Sequence, residues 1–170
     1  MILIGMGANL LHPQYGEPLN SLKAAAGMLE NRGLQITHQS SWYRTEPVPV
    51  SDQPWFVNAV LAVSTELKMQ ELLLLLHSIE QEFGRVREVK WEARVLDLDL
   101  LAYNDEVSVN QDQSKGGVVP HPRMHERGFV LAPLCEINPD WQHPVTGRTA
   151  TELFDAIKDD LTFEIVPQQA

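Results

Sequence analysis

The chain has 170 residues, enough for one domain with a sizeable core, and its 44% hydrophobic and 21% charged fractions are ordinary for a globular protein. A net charge of −10 excludes a general nucleic-acid binder, which needs a basic face. The apolar run "ELLLLLHSIE" is too short and too interrupted for a membrane span and reads as a core helix.

The opening "MILIGMGANL" has a short buried strand but no basic flank, so no signal peptide is expected. "GANLLHPQYGEP" is a loop punctuated by Gly and Pro. From about Pro18 to Arg32 the pattern is helical: Leu22, Ala25, Ala26 and Leu29 share a face, Pro18 suits the first turn and Gly33 the stop. "LQITHQSSWYRT" alternates loosely as one strand, and the three prolines of "EPVPVSDQP" make the next segment an exposed loop. "FVNAVLAVST" is a strong strand. Lys68 to Phe83 is a helix with Leu72, Leu75, Leu76, Ile79 and Phe83 turned inward, ended by Gly84. A polar connection, "RVREVKWEA", leads into the strand "RVLDLDLLAY".

That order, β-α-β-β-α-β, predicts an α/β fold of the ferredoxin-like kind: an antiparallel sheet with both helices on one face. The remainder is expected as a C-terminal appendage of helix and strand. It starts with a turn-rich excursion, "YNDEVSVNQDQSKGG", and a loop leading into a short helix, "HPRMHERGFVLAPLCEI". "TATELFDAIK" follows as a last helix, opened by a capping box from Thr149 to Glu152, and "LTFEIV" as a final strand. No linker divides the chain, so residues 1–170 are expected as a single domain. The lone cysteine, Cys135, permits no internal disulfide, reads as a structural thiol and fits a cytoplasmic location.

Charge is unevenly placed. Arg85, Arg87, Lys90, Arg94, Lys115, Arg123 and Arg127 are seven of the thirteen Lys and Arg residues, and they surround Asp97 and Asp99. On a strand, Leu96, Leu98 and Leu100 share one face, and Val95, Asp97, Asp99 and Leu101 the other. The two aspartate Cα atoms then lie about 6 to 7 Å apart. Carboxylates among branched apolar residues are costly unless paired. They can join a structural network with arginine, face solvent, or hold a hard divalent cation through oxygen. Magnesium suits the last reading, because it is commonly bound by one or two carboxylates plus substrate phosphates. Neither a G-x-x-x-x-G-K-[ST] loop nor a G-x-G-x-x-G turn occurs, so a phosphate ligand would rest on metal and arginine.

Six segments carry a resemblance when taken in order: "GANL", "SSWYRTEPV", "DQPWFVNAV", "IEQEFGRVR", "WEARVLDLDLLAY" and "VPHPRMHERGFVLAPL". Over roughly residues 1 to 160 the chain resembles the 6-hydroxymethyl-7,8-dihydropterin pyrophosphokinase family of folate biosynthesis. The resemblance implies transfer of pyrophosphate from ATP to the pterin hydroxymethyl group, releasing AMP, with two magnesium ions as cofactor. ATP and 6-hydroxymethyl-7,8-dihydropterin are the implied partners. Nucleic acid and membrane are excluded, and a monomer is expected.

By the same resemblance, Asp97 and Asp99 are metal ligands and, with Arg85 and Arg94, catalytic. Arg85 and Trp91 correspond to the family's mobile-loop residues. Arg87, Arg94, His121 and Arg127 correspond to phosphate or transition-state partners. Phe56 and Phe129 would sandwich the pterin ring, Asn58 would read its edge, and Thr45, Glu46 and Val48 would lie along it. Leu73, Leu100 and Val118 would wall the adenine, with His77 and Glu80 on the nucleotide side of the second helix. The chain departs from the family pattern at Glu92, where a small residue is usual, at His77, where glutamine is usual, and at Gly116, beside which Lys115 can substitute for a basic residue.

Overall fold

The computed structural model describes residues 1–84, 95–108 and 117–167. Six strands form one sheet: β1 Ile2–Ala8, β2 Gln35–Gln39, β3 Tyr43–Thr45, β4 Phe56–Ser64, β5 Asp97–Tyr103 and β6 Phe163–Ile165. Their spatial order is β5-β1-β4-β3-β6, with β2 also on β4. Each described pairing is antiparallel. Two helices, α1 Pro18–Asn31 and α2 Met69–Glu82, sit where the apolar periodicity puts them. Pro18 occupies the first turn of α1, and Gly33 just beyond it has a φ of +99°, which glycine adopts without steric cost.

The sheet separates two apolar layers. On one face Leu22, Ala25 and Leu29 of α1 and Leu72, Leu76 and Ile79 of α2 pack on Ile2, Ile4 and Met6 of β1, Leu61 and Val63 of β4, and Leu98 and Leu100 of β5. The period of two in each strand meets the period of about 3.6 in each helix, as the sequence implies. On the other face Leu3, Val60, Ala62, Leu101 and Ala102 meet Val130 and Leu134 of a third helix, α3 Gly128–Ile137, together with Trp141. Residues 120–165, expected as an appendage, therefore supply the second layer. α3 has no acidic residue in its first turn and no basic residue in its last, and it buries Val130, Leu131, Ala132 and Leu134, so it needs this face of the sheet to cover it.

Two expectations change. The single strand expected from residue 34 to 45 is broken into β2 and β3. Ser40, at the break, satisfies β4 twice over: its N–H donates to Val60 O at 3.0 Å, and its hydroxyl accepts from Val60 N at 3.0 Å. The hydroxyl also donates to Ser41 O at 2.8 Å, a local bond that competes with a continuous ladder. The last helix, α4 Ala150–Asp155, is shorter than its pattern predicts, although its capping box forms: Thr149 Oγ1 accepts from Glu152 N, and Thr149 N donates to the Glu152 carboxylate, both at 3.1 Å.

Candidate functional site

The face of the sheet opposite α1 and α2 is only partly covered by α3. The uncovered end is a cleft of about 580 Å³. Strand register determines what lies in it. Gly7 on β1 stands between Asn58 on β4 and Asp97 on β5, while Gly5 stands between Val60 and Asp99. Cross-strand partners point to the same face. The floor is thus a strip of bare backbone, with an amide on one side and two carboxylates on the other.

All six residues expected on the pterin side, Thr45, Glu46, Val48, Phe56, Asn58 and Phe129, line this cleft together with Asp97, Asp99 and Arg127. Asn58 is 6% exposed, and its amide nitrogen donates to the hydroxyl of Thr45 at 2.6 Å. Phe56 opens β4, Phe129 lies in the first turn of α3, and both are half-buried. The loop carrying Glu46 and Val48 is tied to the end of β1 by Asn9, whose amide donates to Gln53 Oε1 at 3.2 Å and to Pro54 O at 3.0 Å.

At the other end the Arg127 guanidinium lies 4.0 Å from Asp99 Oδ2 and 5.5 Å from the centre of the Phe129 ring. Burial pushes the pKa of Arg127 down, and the Asp99 and Asp97 carboxylates oppose it. A guanidinium stays charged through such a shift. His121 is anchored by its N–H to Leu101 O at 2.8 Å, and its Nδ1 accepts from Arg123 N at 3.1 Å. Burial, then the positive charge of Arg127, lowers its pKa to about 4 against the pull of Asp97. The ring is neutral near pH 7. With Nδ1 accepting, its proton sits on Nε2, which makes it a hydrogen-bond donor.

Of the remaining described candidates, Leu73, His77 and Glu80 are on α2, Leu100 is on β5 and Val118 follows β5 in the chain. Leu73 and Leu100 belong to the α1–α2 layer, on the opposite side of the strand from the carboxylates, with Val119 beside them. Val118 and His77 are half-buried. Glu80 is 2% exposed, and its carboxylate accepts from Leu98 N at 3.1 Å, between the two aspartates along the chain. Arg85, Arg87, Trp91 and Arg94 lie outside the described residues. Among the described residues no group of three or more His, Cys, Asp or Glu side chains converges on one point.

Several residues that line or brace the cleft went unread in the sequence. Gly5 and Gly7 alternate along β1, which is the mark of a strand face that something must approach closely. Asn9 belongs to the quoted "GANL" segment, yet its tie to the loop is a tertiary contact. Ile157, Asp160 and Leu161 also line the cleft, and nothing in their local pattern announces it. Leu161 lies so close to Gly128 that a Cβ there would come within 2.8 Å of it.

Comparison with known proteins identifies an ATP-dependent transferase. The model of the 7,8-dihydro-6-hydroxymethylpterin-pyrophosphokinase family matches residues 3–139, and the chain belongs to that family. A 2-amino-4-hydroxy-6-hydroxymethyldihydropteridine pyrophosphokinase of Synechocystis is 36% identical over 97% of this chain and 80% of its own length. One of Haemophilus influenzae is 39% identical over 96% of the chain and 97% of its length. The chain also matches longer proteins: it spans 21% of the folic acid synthesis protein fol1 of Pneumocystis carinii, at 35% identity. A crystal structure of wild-type Plasmodium falciparum HPPK-DHPS superposes with a TM-score of 0.70 over 94% of this chain and 45% of the other, and at 14% identity it speaks for the fold alone.

Proposed function

We infer that the cleft over β1 is where the chain carries out its family's reaction: transfer of pyrophosphate from ATP to the hydroxymethyl group of 6-hydroxymethyl-7,8-dihydropterin. The observation that carries this reading is the meeting of all six pterin-side candidates with Asp97, Asp99 and Arg127 in one cleft. Phe56 and Phe129 hold the flat ring by stacking, and Asn58 reads its polar edge. The pterin hydroxyl oxygen bonds to the β-phosphorus of ATP as the bond from that phosphorus to the α-β bridging oxygen breaks. The products are AMP and the pterin diphosphate, and the hydroxyl proton is released.

Two magnesium ions fit the donor set. Asp97 and Asp99 are hard oxygen ligands on one strand face, and two carboxylates leave room for phosphate oxygens to complete the coordination. When bound, magnesium neutralises phosphate charge and aligns the attacking and leaving oxygens. Arg127, already beside Asp99, and His121, a neutral Nε2–H donor, face the triphosphate. The family resemblance assigns Arg85, Arg87, Trp91 and Arg94 to the nucleotide or its phosphates as well, and Leu73, Leu100, Val118, His77 and Glu80 to the nucleotide end. The chain works as a single domain and a monomer in the cytoplasm. Among the described residues no helix is long and apolar enough to cross a membrane.

The test is to incubate the chain with ATP, magnesium and the dihydropterin alcohol and to separate the nucleotides by anion exchange. AMP equimolar with a pterin diphosphate is expected. ADP would instead mean an ordinary γ-phosphoryl transfer, and no turnover at any magnesium concentration would mean a relative that binds without catalysis.

A further inference from the structure

The amide of Asn58 is held from two directions. On one side its nitrogen donates to Thr45 Oγ1 at 2.6 Å, inside a pair that is 6% and 2% exposed. That bond holds the amide by its nitrogen end, with its oxygen turned away from Thr45. On the other side the amide oxygen lies over β1 at Gly7, its register partner. A Cβ built on Gly7 would stand 2.7 Å from Asn58 Oδ1, closer than real Cβ contacts come. The next nearest atoms to that Cβ, Asn58 Cγ at 3.8 Å and Val57 O at 3.9 Å, are at ordinary distances. The demand for glycine is thus specific to one atom. Gly7 is also buried and lies outside the left-handed φ region, so its backbone conformation is open to other residues.

We propose that Gly7 is a positioning residue for pterin recognition: its bare backbone leaves the Asn58 oxygen the space it occupies while the amide nitrogen is bonded to Thr45. The proposal rests on the assignment of Asn58 to the pterin side. Gly7 lies on the cleft floor, and the proposal makes the effect of a side chain there pass through Asn58. A methyl group at Gly7 would turn the amide, break its bond to Thr45, or both. A buried amide whose donors and acceptors are misaligned loses the discrimination that a polar site provides.

The experiment is a double-mutant cycle on Gly7→Ala and Asn58→Ala, read by calorimetric titration with the dihydropterin alcohol and with a non-hydrolysable ATP analogue plus magnesium, and by thermal unfolding. Gly7→Ala should weaken pterin binding by about tenfold or more. Its affinity for the nucleotide should stay within about twofold. In the Asn58→Ala background the same methyl meets no amide oxygen, so adding it should cost no further affinity or stability. Additive losses would overturn the proposal, since Gly7 would then act independently of Asn58. Wild-type pterin affinity in Gly7→Ala would overturn it as well. If Gly7→Ala alone does not fold, a folded double variant supports the contact, and a double variant that also fails to fold refutes it. Should the unsubstituted chain bind no pterin, the assignment of the cleft falls, while the unfolding cycle still reports on the Gly7–Asn58 contact.

Discussion

At the scale of single residues, the two aspartates show how far a sequence can be read. Their alternation with leucine identifies a strand with one apolar and one charged face, and the structure places them beside Gly7 and Gly5 at the floor of the cleft. What alternation cannot reveal is the neighbour across the sheet, because register is a tertiary fact. Asn9 and Glu80 illustrate the same boundary: an amide that ties down a loop and a carboxylate that receives a strand N–H owe their roles to partners far along the chain. Removing either aspartate, as Asp97→Ala or Asp99→Ala, should lower turnover by several orders of magnitude and leave the unfolding temperature within a few degrees. Both side chains are half-buried and face the cleft rather than the packed layer. The check is steady-state rate at saturating magnesium beside a thermal melt. Near-normal turnover in either variant would remove it from the proposed metal ligands.

At the scale of elements, the junction between α3 and β3 has no counterpart in local pattern. Glu136 of α3 accepts hydrogen bonds from Tyr43 OH at 2.6 Å, Ser41 Oγ at 2.7 Å and Ser41 N at 2.9 Å. Burial alone would raise its pKa, but these bonds outweigh it, and the carboxyl titrates below its ordinary value. A depressed folded-state pKa gives stability that is complete above the unfolded value and is lost as pH falls through the folded one. Glu136→Gln should therefore lower stability near neutral pH by about 1 kcal/mol, a modest figure because Glu136 is exposed and solvent screens its bonds. The variant's denaturant midpoint should also fall less steeply than the wild type's below about pH 4.5. Parallel acid curves for the two proteins would show that Glu136 contributes nothing through its charge. The break at Ser40 belongs to this scale too: the alternation of residues 34 to 45 is loose enough for a strand, and only the bonds with Val60 show why it divides.

At the scale of the whole molecule, the order of strands and helices was legible because each element carries its own period, and helices and strands in this order have few ways to cover a sheet. The second apolar layer was not legible. Its members, Leu3, Val60, Leu101, Val130 and Trp141, come from five separate stretches of chain. The candidate site was legible as a set of residues through family resemblance. As a place, it depends on α3 covering only part of the sheet. The C-terminal residues Ile157 and Leu161, which line the cleft, are a product of that layer and could not be assigned from local composition.

Strand β5 and the residue before it carry the helix-side core and the cleft floor on alternate positions: Leu96, Leu98 and Leu100 are 0%, 3% and 5% exposed, while Asp97 and Asp99 line the cleft. Tolerance to change along this segment should be interleaved rather than graded. A saturation library over residues 96 to 100, sorted once for abundance and once for turnover, should give two combs offset by one position. Leu98→Ala should fall out of the abundance sort, at a cost of about 2 to 5 kcal/mol. Asp97 substitutions should pass the first sort and fail the second. The two properties can drift separately here although no residue lies between them, so neighbouring positions can be under unrelated selection within a span of five residues.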